Sequence, residues 1–297
     1  MINSVLASWH PAIVFAYFML STLLTMLIRH PVWVAFSLLL ALLYCCRLRG
    51  KAVLRQHWYK YLPLVLLTAA INPLFNHRGM TVLAHLPNGN AITLEALSYG
   101  LVAAAMLLAV LLWFSSYNLL MSSDKLSYLL GRITPRLALL FIMCMRLLPL
   151  FGERFGQVLD AQKMLEGLED KGSLIQRIRL ALRSVAVVVG WSLEKAVDMA
   201  DAMRSRAYGS TRRSCYAAYE WSSRDTLLLL IMAAVLLIIC VACAQGGLSW
   251  QWYPHMRFLG SPWSMWLGLT GCALWYSFPV LADLVEDKRW KFLRSKM

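Results

Sequence analysis

Met199, Met203 and Arg206 stand four and three residues apart in one long helical pattern, flanked by Glu194, Asp198 and Asp201. That spacing places the methionines and the arginine on one seam of a helix, with the carboxylates beside them. An arginine at a helix end supplies a fork of donors for charge-assisted hydrogen bonds, and methionine gives adaptable apolar contact. This is the chemistry of recognition, not of bond making. Groups for catalysis are scarce elsewhere. No HExxH, GxSxG, paired-carboxylate or GxxxxGK[ST] arrangement occurs, so any ATP must be hydrolysed by another chain. Cys240 and Cys243 form a CxxC without a second pair, inside an uncharged run, and read as packing. Glu95 and Asp283 fall near the ends of apolar runs, Arg146 interrupts a short one, and His77, His85 and His255 fall in polar stretches. No catalytic residue, metal ligand or cofactor site is assigned.

The elements that must hold the seam belong to a membrane protein. Of 297 residues, 60% are hydrophobic and only 15% charged, too few to cover a soluble domain of this size. Apolar runs at about 12–28, 31–46, 58–75, 94–121, 226–245 and 262–284 read as six spans. The first has no basic segment before it and no small-residue cleavage site after it, so it is expected to be retained. A basic loop follows the second, and Pro87-Asn-Gly-Asn90 marks a turn within a small hairpin cap. With the amino terminus inside, Arg29, Arg78 and Arg257 alone of the 29 lysines and arginines face outward. The same rule keeps 152–225 inside, so the short apolar piece 137–150 is expected to be interfacial or re-entrant. The formal charge of +14 is then explained by the membrane, with no nucleic acid required.

The expected fold is an all-α integral membrane protein of about six spans, with long cytoplasmic helices between the fourth and fifth. Its parts are membrane helices over 1–121, a cytoplasmic or interfacial segment over 122–225, and membrane helices with a basic tail over 226–297. In the middle segment, Phe155, Val158, Gln162 and Leu165 share the seam of a helix over about 153–166, which Gly167 and Lys171-Gly172 then break. A second, proline-free pattern runs from Ser173 to Gly209, roughly 50 Å if unbroken, with Gly190 the position expected to bend. Its seam is Ile175, Ile178, Leu182, Val185 and Val189, continuing through Ser192, Ala196 and Met199 to Met203 and Arg206. Residues 184–193 carry no charge on any face, so this middle is expected to be enclosed. Two such helices suit docking into partner grooves; packing on each other beneath the membrane is the alternative.

Ala202-Met-Arg-Ser-Arg-Ala-Tyr-Gly209 resembles the second Ala-Arg-Gly coupling motif of energy-coupling factor transmembrane (T) components, usually Ala-Met-x-Ala-Arg-Gly-Tyr/Phe. Arg206 matches the motif arginine, while Ser205 replaces its alanine and Ala207 its glycine. Ala161-Gln-Lys163 is similar to the start of the first motif, usually Ala-Gln-x-Ala-Arg-Gly; here Leu165 and Glu166 stand where arginine and glycine are expected. Gly172-Ser-Leu-Ile-Gln-Arg177, Met145-Arg-Leu-Leu-Pro149 and His10-Pro11 also look like the family. The resemblance implies a non-catalytic coupling subunit of the bacterial cytoplasmic membrane, with both termini inside. Its partners would be two cytoplasmic ABC ATPase subunits and a small membrane S component that captures a vitamin or a transition-metal ion. The coupling residues implied are Ala202, Met203, Ser205, Arg206, Ala207, Tyr208 and Gly209, with Ala161, Gln162, Lys163, Leu165 and Glu166. A membrane-embedded enzyme would instead place ionisable groups within its spans, and a secondary transporter would favour inverted repeats.

Overall fold

Proline opens several of the helices, at the position where its missing N–H has no helical partner to lose. The computed structural model describes residues 4–76, 78–85, 91–166, 173–210 and 219–295. Its chain divides into two compact units, Met1–Ser122 with Tyr219–Met297, and Ser123–Ala218.

The first unit holds α1 (Pro11–Leu27), α2 (Pro31–Arg49), α3 (Lys51–Phe75), α4 (Leu94–Leu120), α8 (Ser223–Ala244) and α9 (Pro262–Ser295). The second holds α5 (Ser123–Ile133), α6 (Pro135–Glu166) and α7 (Leu174–Ser205). His10 caps α1 by accepting from the Ala12 N–H, and Thr93 caps α4 by accepting from that of Ala96. Ser222 and Asp225 form a capping box at the start of α8. Among the described residues α2, α4, α6, α8 and α9 are long and apolar enough to cross a membrane; α1 and Tyr61–Phe75 are shorter apolar helices. The chain is an all-α membrane protein whose six expected runs all fold as helix.

Three expectations are revised. The basic loop after the second span shrinks to Gly50, whose φ of 76° separates α2 from α3, so Lys51 and Arg55 lie within a helix. Residues 137–150 and 153–166 are a single helix, α6, which continues through Pro149 and qualifies as a span by length and composition. A proline removes its own hydrogen bond and crowds the carbonyl four residues back, and the strong helix formers around it carry the backbone past. Finally, α9 continues beyond its apolar run, so most of the basic tail is helical. The expected hairpin cap is present as β1 (Val82–His85) paired antiparallel with β2 (Ala91–Thr93). A second ribbon, β3 (Trp250–Gln251) with β4 (Arg257–Phe258), was not anticipated. The Pro87–Asn90 turn, His77 and the Gly167 and Lys171-Gly172 break lie outside the described residues.

In the first unit α4 packs along α1, α2 and α3, and α9 along α2 and α8. The α3–α4 approach is close: a Cβ on Gly100 would sit 2.7 Å from the Ala69 carbonyl oxygen. Asn72 on α3 reinforces it, donating to the Ala96 carbonyl. The core is aromatic, with Tyr17, Trp33, Tyr44, Trp113 and Tyr276 fully buried. Within a bilayer buried polar groups must be satisfied internally. Thr25 therefore bonds both Ser37 and the Tyr276 hydroxyl, the Trp113 N–H donates to Ser37, and the Trp275 N–H donates to Ser21.

His30, in the turn between α1 and α2, is fully buried, and neither ring nitrogen has a hydrogen-bond partner among the described residues. Its ring meets Trp250 and Phe258 edge-on. Burial alone lowers its pKa from the ordinary 6.5. The unfolded chain therefore binds the extra proton first, so stability is complete above pH 6.5 and declines as pH falls below it. The apparent melting temperature of the detergent-purified chain is expected to be lower at mildly acidic than at mildly alkaline pH. His30→Phe should flatten that dependence in a thermal melt at the two pH values, and an unchanged slope would exclude His30 as its source.

Candidate functional site

Ser173 starts α7, its N–H donating to the Gln176 side chain at 3.0 Å. The helix then runs unbroken through Gly190 to Ser205. Alongside it lies α6. Ser184 donates to the Gln162 side-chain oxygen at 3.0 Å, while Phe151 and the Arg154 guanidinium meet the Trp191 ring, the latter 5.4 Å from its centre. Higher numbers on one helix face lower numbers on the other, so the pair is antiparallel.

In the first half of α7 the seam residues are not the ones turned to α6, whereas the distal seam residues Met199, Met203 and Arg206 line a groove with it. Leu180 and Ser184 are the buried positions, whereas Ile175, Ile178, Leu182, Val185 and Val189 are exposed. From Ser184 to Leu193 no face of α7 carries a charge, so a three-four repeat there fits more than one face. Within the second unit the described residues do not enclose the uncharged middle, Val187 being 50% exposed. A charge-free stretch requires apolar surroundings, but these need not come from its own chain.

The first-motif residues end α6. Gln162 is tied to Ser184, and Lys163 pairs with Asp160 at 3.6 Å. Ala161 is exposed. Leu165 is 85% exposed, projecting beyond the part of the seam that packs. The Glu166 side chain lies outside the described residues.

At the far end, the second-motif residues build a defined helix stop. The Ala207 N–H donates to the Arg204 carbonyl and the Tyr208 N–H to that of Met203, each at 3.0 Å. This is a Schellman turn, and it holds Ala207 at a φ of 55°. An alanine there bears a strain of about 1 kcal/mol that a glycine would not. Gly209, at φ 97°, completes the turn away. Ala207→Gly is expected to raise stability by roughly 0.5–1 kcal/mol, visible as a higher apparent melting temperature; a fall would contradict the strain argument.

Acidic neighbours of the motif are already engaged, Asp198 with Lys195 at 3.3 Å and Asp201 with Arg204 at 3.9 Å. Arg206 is exposed, and its side chain has no ion pair or hydrogen bond among the described residues. Ala202, Met203 and Arg206 form one wall of a groove of about 710 Å³. The opposite wall comes from α6, as Leu139, Ile142, Met143, Arg146 and Leu147. Ser205 and Tyr208 lie exposed at its end. Sequence reasoning missed this second wall; its one signal was Arg146 interrupting an apolar run. The two motifs are thus at opposite ends of the helix pair, with 22 residues of α7, or about 33 Å, between Ser184 and Arg206.

Two of the ionisable groups near span ends, Asp283 and Glu95, have partners within the fold. Asp283 accepts from the Val5 N–H at 2.9 Å and from Ser4 at 3.2 Å, and pairs with Arg47 at 3.7 Å. Glu95 accepts from the Thr81 hydroxyl at 2.8 Å. Cys240 and Cys243 are free thiols.

No family model matches the chain. Curated relatives do. Over 104 residues it is 29% identical to the energy-coupling factor transporter transmembrane protein EcfT of Streptococcus thermophilus, covering 35% of this chain and 39% of the relative. Over 107 residues it is 31% identical to EcfT of Lactococcus lactis, 35% and 40%. Over 109 residues it is 26% identical to EcfT of Thermotoga maritima, 36% and 40%. The aligned stretch spans about two fifths of the length of these relatives. Partial and distant as they are, the matches support an energy-coupling factor T component.

Proposed function

We propose that this chain, as a T component, is the membrane coupling subunit of an energy-coupling factor importer. It joins two cytoplasmic ABC ATPase subunits to a small membrane S component that takes up a vitamin or a transition-metal ion. The chain itself is non-catalytic; ATP is hydrolysed by the partner subunits. It resides in the bacterial cytoplasmic membrane with both termini inside, the orientation that puts its lysines and arginines on the cytoplasmic face. Although α6 is long and apolar enough to cross, the same charge rule argues for its lying at the membrane surface.

The observation that carries this reading is the arrangement of α6 and α7. One antiparallel pair presents an exposed motif at each end, about 33 Å apart along the helix. Two separated contact points suit two ATPase subunits. The points differ: Arg206 offers an unengaged cation and Leu165 an exposed apolar side chain. The two ATPase contacts are therefore unequal.

The test is affinity purification in mild detergent of the tagged chain expressed with its genomic neighbours. ATPase subunits and a small membrane protein should co-purify; absence of any ATPase would overturn the proposal. Leu165→Asp should reduce ATPase recovery, because a carboxylate would have to be desolvated in an apolar contact. Undiminished recovery would remove Leu165 from the interface.

A further inference from the structure

Away from the coupling helices, the first unit contains a cavity of about 510 Å³ whose lining includes one cation, Arg29, and no carboxylate. Arg29 has no ion pair or hydrogen bond among the described residues. The indole N–H groups of Trp250 and Trp252, both in the lining, are buried without an acceptor among the described residues, and Trp252 is only 6% exposed. Asn76 donates to the Tyr253 hydroxyl at 3.0 Å, which leaves that hydroxyl its own proton to donate. Tyr99, also in the lining, adds another hydroxyl. The lining also holds the amide oxygens of Asn72, Asn76 and Gln251, but no charged acceptor, so the chamber is net cationic, and a buried donor without an acceptor costs about 1–3 kcal/mol. The complement to such a wall is an anion rich in oxygen.

A second cavity of about 310 Å³ shares Trp250 and Trp252 with the first. Its remaining lining is almost wholly apolar, chiefly Leu94, Leu97, Leu101, Val102 and Met256. A cationic, donor-rich chamber joined through two indoles to an apolar one matches an amphiphile with an anionic head. Tryptophan and tyrosine favour the membrane interface, where such a molecule is abundant. We propose that this double cavity binds one phospholipid, its phosphate at Arg29 and the indole N–H groups, and an acyl chain along Leu97 and Leu101.

The test is native mass spectrometry of the full chain, purified in detergent and titrated with phosphatidylglycerol. Arg29→Gln and Trp252→Phe are compared with the parent, and Arg78→Gln, an exposed arginine outside the lining, serves as control. Expected is one retained lipid on the parent and on Arg78→Gln, with affinity reduced about tenfold in Arg29→Gln through the lost charge-assisted bonds. Trp252→Phe, which keeps an aromatic ring but loses the N–H, should also weaken binding. Equal retention by all four proteins would overturn the proposal. A competition arm with inorganic phosphate separates the sources: lipid that persists supports a phospholipid, whereas displacement by phosphate alone would overturn the lipid assignment in favour of a soluble anion.

Discussion

Arg206→Glu should leave the chain folded and in the membrane but reduce co-purifying ATPase by at least about tenfold, and energised uptake by a similar factor. The magnitude follows from the bonds removed. Hydrogen bonds to a charged group contribute about 1.5–3 kcal/mol each, and stranding a buried partner charge costs about 2–5 kcal/mol. Reversing the sign adds repulsion to that loss. Arg204→Gln supplies the internal control. Its guanidinium pairs with Asp201 at 3.9 Å on the exposed helix surface, where an ion pair contributes only about 0–1 kcal/mol. Quantitative blotting of the ATPase in both pull-downs decides the matter. Equal loss in the two variants would mean that general charge on α7, not a specific arginine contact, holds the partner.

The second large effect is structural. Trp113→Ala should destabilise the first unit by roughly 3–5 kcal/mol, the usual range for emptying a buried aromatic site. Trp113 is fully buried, stacks on Tyr276 with ring centres 5.6 Å apart and on Tyr44 at 6.2 Å, and donates to Ser37 at 3.1 Å. Trp113→Phe keeps most of the volume and loses one hydrogen bond, while Ser37 keeps its bond to Thr25, so roughly 0.5–1.5 kcal/mol is expected. Apparent melting temperatures in one detergent should rank parent, Phe, Ala. A variant pair melting together with the parent would show that lipid or detergent fills the site as well as the indole does.

Much of the fold was readable because bilayer physics leaves a coarse signature. The run at 226–245 contains no charge at all, and it is α8. Proline at 31, 135 and 262 and the glycine at 50 mark helix limits through backbone chemistry alone. The continuity of α6 was not readable, because Pro149 and Gly152 look like a break and only tertiary packing decides whether they are one. The contacting face in the first half of α7 was lost for a different reason. Valines at 185, 187, 188 and 189 surround the helix, so periodicity has no unique phase there. Of the candidate site, the Arg206 end was legible as a seam running into small residues. Its Schellman turn with alanine in the left-handed position was not, since alanine gives no hint of positive φ. The groove wall on α6 was hidden as well, because it pairs residues nearly sixty positions apart.

The buried hydroxyls between α1, α2, α4 and α9 also govern how the first unit moves. Thr25 holds both Ser37 and Tyr276, Ser37 holds Trp113, and Ser21 holds Trp275. These bonds lie across helix axes, so rolling any one of the four about its own axis would break several in a medium without water to replace them. The quartet is built like a keyed shaft: the bonds favour its translating or tilting as one piece over any roll of a single helix.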